Sequence, residues 1–102
     1  MNCIFCSIIE GKSRADVFYQ DDHVIVFKDI APKCPVHLLI CPKQHYENFI
    51  AAPQEVRQQL DDVVQKVSEM LGERGQDFRI QINNGRGAGQ IVFHLHYHFL
   101  AW

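Results

Sequence analysis

The sequence has little of what marks secreted, membrane or nucleic-acid-binding proteins. In its 102 residues no apolar run is long enough to cross a membrane, and the N-terminus has no apolar core of a secretory signal. Basic residues form no cluster, and the formal net charge of −2 gives no sign of general affinity for nucleic acid or lipid. We therefore expect a single cytoplasmic domain, residues 1–102, with no nucleic-acid or membrane partner.

Cysteine is also scarce, with four residues at Cys3, Cys6, Cys34 and Cys41. Without a secretory signal, a disulfide framework is not expected. Cys34 and Cys41 flank apolar residues and are interpreted as small buried side chains. Cys3-x-x-Cys6 has a spacing that fits one metal ion or a redox pair, although a metal site would need two more ligands from elsewhere in the chain.

The hydrophobic pattern predicts an α+β fold, with an antiparallel sheet of about five strands, one long helix and one short helix. The long helix is expected to begin near Pro53 and to end at Gly72 or Gly75, because proline is tolerated in the first turn and glycine ends helices. The remaining predicted elements are a short helix at residues 4–9 and strands at residues 17–19, 24–27, 36–41, 77–83 and 91–100.

The last predicted strand carries the most informative pattern in the chain. Three of the six histidines, His94, His96 and His98, alternate there with large apolar residues at positions 93, 95, 97 and 99. Side chains of a strand alternate between its faces, so one face would cover a core and the other would present three imidazoles. Imidazole is a nucleophile, a proton carrier and a metal ligand. The run therefore favours chemistry on an anion or a metal site over a chance histidine-rich surface.

A glycine-rich segment, residues 85–89, comes just before the histidines. Glycine allows backbone N–H groups to approach a ligand closely, and such a concavity suits phosphate. Because the segment lies between two predicted strands, it lacks the context of a dinucleotide-binding or P-loop motif. On its own it would equally fit a flexible hairpin loop, but next to three imidazoles a phosphate pocket is the better interpretation.

These motifs together resemble the histidine triad (HIT) family, and within it the nucleotide-binding, Hint-like branch. Residues 89–100, GQIVFHLHYHFL, are similar to the family signature, in which three histidines alternate with apolar residues. The segments at residues 3–9, 27–32 and 35–45 resemble the other family blocks, in the same order. The resemblance extends over nearly the whole chain.

The resemblance implies an enzyme that hydrolyses purine nucleoside 5′-phosphoramidates, or related nucleotide derivatives, at the α-phosphorus. In that scheme His96 attacks phosphorus and forms a nucleotidyl-histidine, which divides one difficult displacement into two easier ones. His98 and His37 would contact the phosphoryl oxygens or the leaving group, and His94 would line the catalytic pocket. Taken alone, His37 would equally fit a core histidine on an apolar strand.

The resemblance also implies the substrate-binding residues. The Asp29 carboxylate would accept hydrogen bonds from the ribose hydroxyls. Asn83 would lie near the phosphate and ribose. The apolar slot for the purine would be formed by Phe5, Ile8, Phe27 and Ile30. The loop that holds the phosphate would include Gly89 and Gln90.

Two further expectations come from relatives rather than from the pattern alone. Some bacterial members complete a structural zinc site with two histidines that match His45 and His94, which with Cys3 and Cys6 would give four ligands. The alternative is two ordinary buried thiols and a His94 that only lines the pocket. The family also implies a homodimer, and no organic cofactor.

The sequence departs from the family pattern at Ile91, where the Hint-like branch usually has serine and related branches have threonine. A hydroxyl that would serve the leaving group is therefore absent. This departure leaves open a nucleotide-binding regulatory protein with weak hydrolase activity, and a simple metal-binding protein is a third alternative. Family members often continue into a tail, whereas this sequence ends at Trp102.

Overall fold

The computed structural model, which describes residues 3–102, shows the expected α+β architecture: one antiparallel five-stranded sheet with a long and a short helix. The strands lie in the spatial order β1-β2-β3-β5-β4, and every neighbouring pair is antiparallel. The elements are α1 (Ile4–Ile9), β1 (Val17–Gln20), β2 (Val24–Lys28), β3 (Val36–Pro42), α2 (Gln54–Leu71), β4 (Phe78–Gln81) and β5 (Tyr97–Ala101).

The long helix α2 has the predicted limits. Pro53 is its N-cap, and Gly72 ends it with a φ of 62°, which glycine adopts without the strain that a Cβ would add. Leu60, Val63 and Val67 are buried along one face, at the three- and four-residue steps of a helix. This face packs on one side of the sheet, where α2 contacts β2 and β3.

The sheet separates two apolar clusters, and this separation creates the site. The larger cluster lies under α2 and includes Leu60, Leu95, Tyr97 and Phe99. The smaller one lies on the opposite side under α1 and is formed by Cys3, Phe5, Ile25, Phe27, Leu39 and Cys41. In residues 94–99 the apolar side chains therefore pack into the larger cluster, and the histidines between them lie on the side of α1.

One prediction about the sheet was wrong in extent. The last strand begins at Tyr97 rather than at Ile91, so His94 and His96 precede it in an irregular segment and only His98 lies in β5. Other groups satisfy the backbone of this segment, because the Leu95 N–H donates to the Tyr46 carbonyl (2.7 Å) and the Gln90 side chain donates to the Val92 carbonyl (3.1 Å). The segment therefore has no need of a neighbouring strand.

The other strand limits agree with the sequence to within a few residues, and the largest difference is β4, which covers Phe78–Gln81 instead of residues 77–83. β1 and β2 form an antiparallel hairpin, with Gln20 paired to Ile25. Among residues 3–102, no helix is both long enough and apolar enough to cross a membrane.

Candidate active site

The side chain of His96 faces a cavity and has its tautomer fixed by the backbone. Its Nδ1 lies 2.7 Å from the His94 carbonyl oxygen. A carbonyl only accepts, so Nδ1 carries the hydrogen and Nε2 of the neutral ring keeps its lone pair. His96 lines a cavity of about 440 Å³ together with His98. A nitrogen nucleophile is thus presented toward a volume large enough for a nucleotide.

His98 has the opposite tautomer, set through His37. The Lys33 N–H donates to His37 Nδ1 (3.1 Å), so the hydrogen of the neutral His37 ring is on Nε2. That Nε2–H lies 3.0 Å from His98 Nδ1 and 3.3 Å from the Asp29 carboxylate. When His98 Nδ1 accepts this hydrogen bond, the His98 hydrogen is on Nε2. His98 is therefore a hydrogen-bond donor beside a nucleophile.

His37 itself is buried and is not among the residues that line the cavity. The structure therefore places His37 behind His98 and not at the cavity wall, where direct contact with a phosphoryl group was expected. The Asp29, His37 and His98 ligand atoms also lie within 4.8 Å of one another, a grouping compatible with a metal ion. The Lys33 hydrogen bond opposes metal binding there, because it keeps a hydrogen on the nitrogen that a metal would need.

Burial keeps the site imidazoles neutral. It lowers the pKa of His96 and His37, and it lowers the pKa of His98 to about 4, with further lowering by the neighbouring His96 and His37. Desolvation likewise lowers the pKa of His94 to about 4. At neutral pH His96 therefore has its lone pair available, as a nucleophile requires.

Apolar side chains from α1 and β2 form one end of the cavity. Phe5, Ile8 and Phe27 line it, and the Phe5 ring packs edge-on against Phe27 (centroids 5.3 Å apart) and against His96 (5.0 Å). Ile30 also lines the cavity and is almost fully exposed, so it is free to cover a planar ligand. The four residues expected for the purine slot are thus brought together.

Asp29 lies at the edge of the same cavity, directly after β2. Its Oδ1 accepts a hydrogen bond from the Ala31 N–H (2.9 Å), and Oδ2 faces His37. A carboxylate has further lone pairs beyond these two, so it can still accept from ribose hydroxyls. Asp29 therefore contacts His37 from the cavity side.

The glycine-rich loop closes the other end of the cavity, where Asn83 and Gly89 line it. Gly89 has a φ of 92°, a conformation that residues with a Cβ rarely adopt. Gln90 is buried and faces the protein instead: its amide donates to the Glu47 carbonyl (2.7 Å), and its Oε1 accepts from the Gly85 N–H (2.8 Å). Gln90 therefore shapes the loop rather than lining the cavity.

A separate cluster of Cys3, Cys6, His45 and His94 lies beside the cavity, and its ligand atoms are all within 4.8 Å of one another. His94 Nε2 lies 2.8 Å from the Pro42 carbonyl, which puts the hydrogen there and leaves Nδ1 free. His94 Nδ1 lies 3.5 Å from Cys3 Sγ, 3.6 Å from Cys6 Sγ and 3.1 Å from His45 Nδ1, and Cys6 Sγ lies 3.4 Å from His45 Nδ1.

These separations fit a tetrahedral zinc ion. Bonds of about 2.3 Å to sulfur and about 2.0–2.1 Å to nitrogen would place sulfur and nitrogen about 3.6 Å apart, and two nitrogens about 3.3 Å apart. Burial raises the pKa of the Cys6 thiol to about 11, with additional raising by Cys3. A metal ion would displace the thiol protons, because a coordinated thiol is deprotonated. The donor set and its geometry both suit zinc.

Several groups that set this geometry were not predicted from the sequence. Lys33 fixes the tautomer of His37 through its backbone N–H, and the carbonyls of Pro42 and His94 fix the tautomers of His94 and His96. Backbone groups carry no residue-type signal, so only the spacing of Lys33 four residues before His37 could have drawn attention to it. The sequence also did not predict that basic side chains line the cavity, namely those of Arg14, Lys28 and Lys33.

Comparison with known sequences identifies relatives over nearly the whole chain. The HIT domain sequence profile matches residues 10–102. An uncharacterized HIT-like protein of Methanocaldococcus jannaschii is 44% identical over 99 residues, which is 96% of this chain and 77% of that protein. Protein HitA of Neisseria gonorrhoeae is 41% identical over 102 residues, covering 98% of this chain and 95% of HitA.

Solved structures similar to this chain come from the same family. A HIT family hydrolase from Clostridium thermocellum has a TM-score of 0.92 and 40% identity, covering 99% of this chain and 90% of that one. A zinc-bound histidine triad family protein from Mycobacterium smegmatis has a TM-score of 0.92, 33% identity and coverages of 99% and 75%. A hypothetical histidine triad nucleotide-binding protein from Sulfolobus tokodaii has a TM-score of 0.91, 35% identity and coverages of 97% and 68%.

Proposed function

This chain belongs to the HIT family, and from this membership and the site geometry we propose that it is a nucleotide-binding hydrolase. The proposed reaction is cleavage at the α-phosphorus of purine nucleoside 5′-phosphoramidates and related nucleotide derivatives. The observation that carries the proposal is the pair of opposite tautomers: the lone pair of His96 Nε2 and the Nε2–H of His98 belong to two rings that line one cavity. The hydrolase among the similar structures supports the reaction class.

In the first step, His96 Nε2 attacks the α-phosphorus and the bond from phosphorus to the leaving nitrogen breaks. The leaving nitrogen needs a proton, which His98 Nε2 supplies. Although burial lowers the pKa of free His98 to about 4, an anionic phosphate bound beside it raises the pKa and favours its protonated form. In that form His98 Nδ1 also carries a hydrogen, so the His37 Nε2–H then donates to the Asp29 carboxylate, which lies 3.3 Å away. The products of this step are a free amine and a nucleotidyl-His96.

In the second step, water attacks phosphorus and the bond from His96 Nε2 to phosphorus breaks. The water gives its proton to His98, which restores the starting state and releases the nucleoside 5′-monophosphate. His37 holds the neutral His98 ring in place through its Nε2–H, and His94 holds His96 through its carbonyl oxygen. These two histidines therefore position the reacting pair.

We assign nucleoside recognition to the apolar end of the cavity. Phe5, Ile8, Phe27 and Ile30 would contact the purine, while Asp29 would accept from the ribose hydroxyls. Asn83 and the backbone at Gly89 would face the phosphate, and Gln90 would keep that loop in shape. The nucleotide-binding protein among the structural neighbours supports this class of ligand.

We assign a structural zinc ion to Cys3, Cys6, His45 and His94. When bound, the ion would fasten α1 to the segment before β5 and hold the His94 carbonyl against His96. The fit of the ligand separations and the zinc-bound family member both support this assignment. His96 and His98 remain available for the phosphate.

A homodimer and a cytoplasmic location complete the proposal. β4 is an edge strand of the sheet, and the aromatic side chains of Phe78 and Trp102 beside it are partly exposed. Pairing of this edge with a second copy would cover both the strand and the aromatic rings. Sedimentation as a monomer alone at micromolar concentration would contradict the dimer. The compartment stays a prediction from the sequence.

A nucleotide-binding regulatory protein with weak activity is the second candidate, and Ile91 is the observation that favours it. The chain carries isoleucine where family members have a hydroxyl beside the leaving group. Such a protein would bind a nucleotide in the same cavity but would form the nucleotidyl intermediate slowly.

The proposed function is tested with adenosine 5′-phosphoramidate and the release of adenosine monophosphate. We expect turnover by the wild type, and loss of turnover in His96→Ala with nucleotide affinity retained within about 1–2 kcal/mol, because most ground-state contacts remain. His23→Ala is the matched control, since His23 is exposed in the β1–β2 turn. Activity of His96→Ala near the wild-type level would refute the role of His96.

A further inference from the structure

Cys3 and Cys6 have a second chemistry besides metal binding, because their two sulfur atoms lie close together. Both belong to the cluster whose ligand atoms are all within 4.8 Å of one another. The Cys6 N–H donates to Cys3 Sγ (3.4 Å), so this sulfur lies over the first turn of α1. Two cysteines in this arrangement form a disulfide once the backbone between them moves. The pair therefore has two alternative states, a set of zinc ligands and a disulfide.

A second cavity, of about 670 Å³, gives solvent access to this pair. Cys3 and His45 line it, together with the exposed side chains of Ile4, Glu47 and Ile91. A small oxidant such as hydrogen peroxide thus reaches Cys3 without unfolding of the domain. A zinc-bound sulfur is a thiolate, which is the form of cysteine that reacts with peroxide.

The other two cysteines are protected from the same chemistry. Cys41 is fully buried under α1. The Cys34 S–H donates to the Val36 carbonyl (3.0 Å), so this sulfur keeps its proton and remains a thiol. Oxidation is therefore directed to the two cysteines of the metal cluster.

We infer that Cys3 and Cys6 form a redox switch, in which a peroxide oxidises them to a disulfide, the zinc is released and nucleotide binding is weakened. The inference rests on the zinc site and the nucleotide site proposed above. A transient disulfide of this kind serves regulation in a reducing compartment.

The chemistry has two steps. The Cys3 thiolate attacks one peroxide oxygen, the oxygen–oxygen bond breaks, and the hydroxide that leaves takes a proton from solvent. The Cys6 thiolate then attacks the sulfenic sulfur of Cys3, the sulfur–sulfur bond forms, and a second hydroxide leaves and takes a proton. The two thiolates lose two electrons in all, and the peroxide is reduced to two water molecules. The remaining ligands, His45 and His94, are too few for a structural zinc site.

The first turn of α1 transmits this change to the nucleotide cavity through Phe5, which lies between the two cysteines in the chain. The Phe5 ring lines the cavity and packs edge-on against His96 and Phe27, with centroids 5.0 and 5.3 Å away. Cβ atoms three residues apart on a helix are separated by about 5–6 Å, whereas a disulfide needs about 3.5–4.5 Å. Closure of the bond therefore distorts this turn and displaces Phe5 from the purine slot.

Release of the zinc acts in the same direction. His94 then loses its link to α1, and its carbonyl oxygen is the group that fixes the tautomer of His96. The smaller apolar cluster still attaches α1 to the sheet, so the domain stays folded while the purine slot loosens.

The test treats zinc-loaded wild type, purified under reducing conditions, with a small excess of hydrogen peroxide. We expect release of the zinc to a chromophoric chelator and a protein mass lower by two hydrogens than that of the reduced, metal-free chain. The disulfide should map to the tryptic peptide of residues 1–12, whose only cysteines are Cys3 and Cys6. The dissociation constant of adenosine monophosphate, measured by titration, should rise by about fivefold or more, and reduction with added zinc should restore it.

Cys34→Ser is the matched control, because it removes one thiol outside the cluster and should respond to peroxide as the wild type does. Cys3→Ser and Cys6→Ser should form no disulfide in this peptide and should show no reversible change in affinity for the nucleotide.

Three results with the wild type would overturn the inference: zinc retained with no disulfide, oxidation of the sulfurs to sulfinic acid alone, or a disulfide that leaves the affinity for adenosine monophosphate unchanged. A reduced protein that holds no zinc would overturn it as well. If the reduced, zinc-loaded protein binds no adenosine monophosphate, the proposed function fails and the switch has nothing to control. The mass and the zinc release are measured without nucleotide, so they distinguish that failure from a failure of the disulfide.

Discussion

Replacement of one zinc ligand, Cys6→Ser, should remove a large part of the stability that the metal provides. The four ligands come from separate parts of the chain: Cys3 is the N-cap of α1, Cys6 lies in α1, His45 in the segment after β3, and His94 in the segment before β5. Without the metal, α1 is attached to the sheet mainly by the smaller apolar cluster around Phe5. Metal binding energy is therefore expected to appear directly as folding stability.

The magnitude follows from mass action. Free zinc at one hundred times its dissociation constant stabilises the native state by about 2.7 kcal/mol. For a domain of about 100 residues, each kcal/mol moves Tm by about 4–8 °C, so the metal should raise Tm by about 10–20 °C. Cys6→Ser retains the size of the side chain but loses the thiolate, and its Tm should lie near that of the metal-free wild type.

The assay is thermal unfolding with and without a chelator, on protein purified without an affinity tag and analysed for zinc. A chelator should lower the Tm of the wild type and leave Cys6→Ser unchanged. Cys34→Ser is the control, since Cys34 donates to the Val36 carbonyl, outside the metal cluster, and should behave as the wild type does. Zinc below a few tenths of an equivalent, together with a Tm that neither zinc nor a chelator moves, would refute the site.

Three further predictions concern the cavity. Asp29→Ala should weaken binding of ribonucleotides by about 1–3 kcal/mol more than binding of 2′,3′-dideoxy analogues. An equal loss of affinity for the two classes of nucleotide, measured by titration, would contradict the contact with ribose. Because the folded-state pKa of His98 is about 4, below its unfolded value of 6.5, its contribution to stability is complete above pH 6.5 and is lost as the pH falls toward 4. His98→Asn should therefore reduce the change in the free energy of unfolding across that pH range by about 1–2 kcal/mol. This figure is smaller than the full pKa shift implies, because solvent screens a half-buried ring. An unchanged pH profile of the free energy of unfolding, measured by denaturant titration, would count against the prediction. Gly89→Ala should cost about 1–2 kcal/mol of stability through its positive φ, whereas Gly87→Ala, which meets no atom within 4 Å, should be neutral, and equal effects would show that the backbone at Gly89 is unstrained.

The helices, the succession of elements along the chain and the antiparallel character of the sheet could be predicted from the sequence because each depends on local patterns. The spatial order of the strands could not, because β3 pairs with the distant β5. The stripe of Leu60, Val63 and Val67 and the flanking Pro53 and Gly72 define α2 without tertiary information. The last strand could not be delimited, because alternation of side chains persists through residues 94–96 although the backbone there bonds to Tyr46 rather than to a strand.

The composition of the candidate site was also largely accessible from the sequence, but the roles within it were not. Phe5, Asp29, His96 and His98 line the cavity as expected. His37 and Gln90 lie behind it, because their polar atoms are used by other protein groups. The tautomers that separate a nucleophile from a donor depend on backbone carbonyls and N–H groups, whose positions follow only from the fold.

The most direct measurement of the central claim is the capture of a nucleotide on His96 during a single turnover. Enzyme in excess over an adenosine phosphoramidate would be quenched in alkali, because phosphorus–nitrogen bonds to histidine are labile in acid, and its intact mass and peptides determined. The mechanism predicts one adenylyl group on His96, which forms and decays at rates compatible with turnover and is absent from His96→Ala. Turnover with no adduct, or with the adduct on another residue, would contradict it.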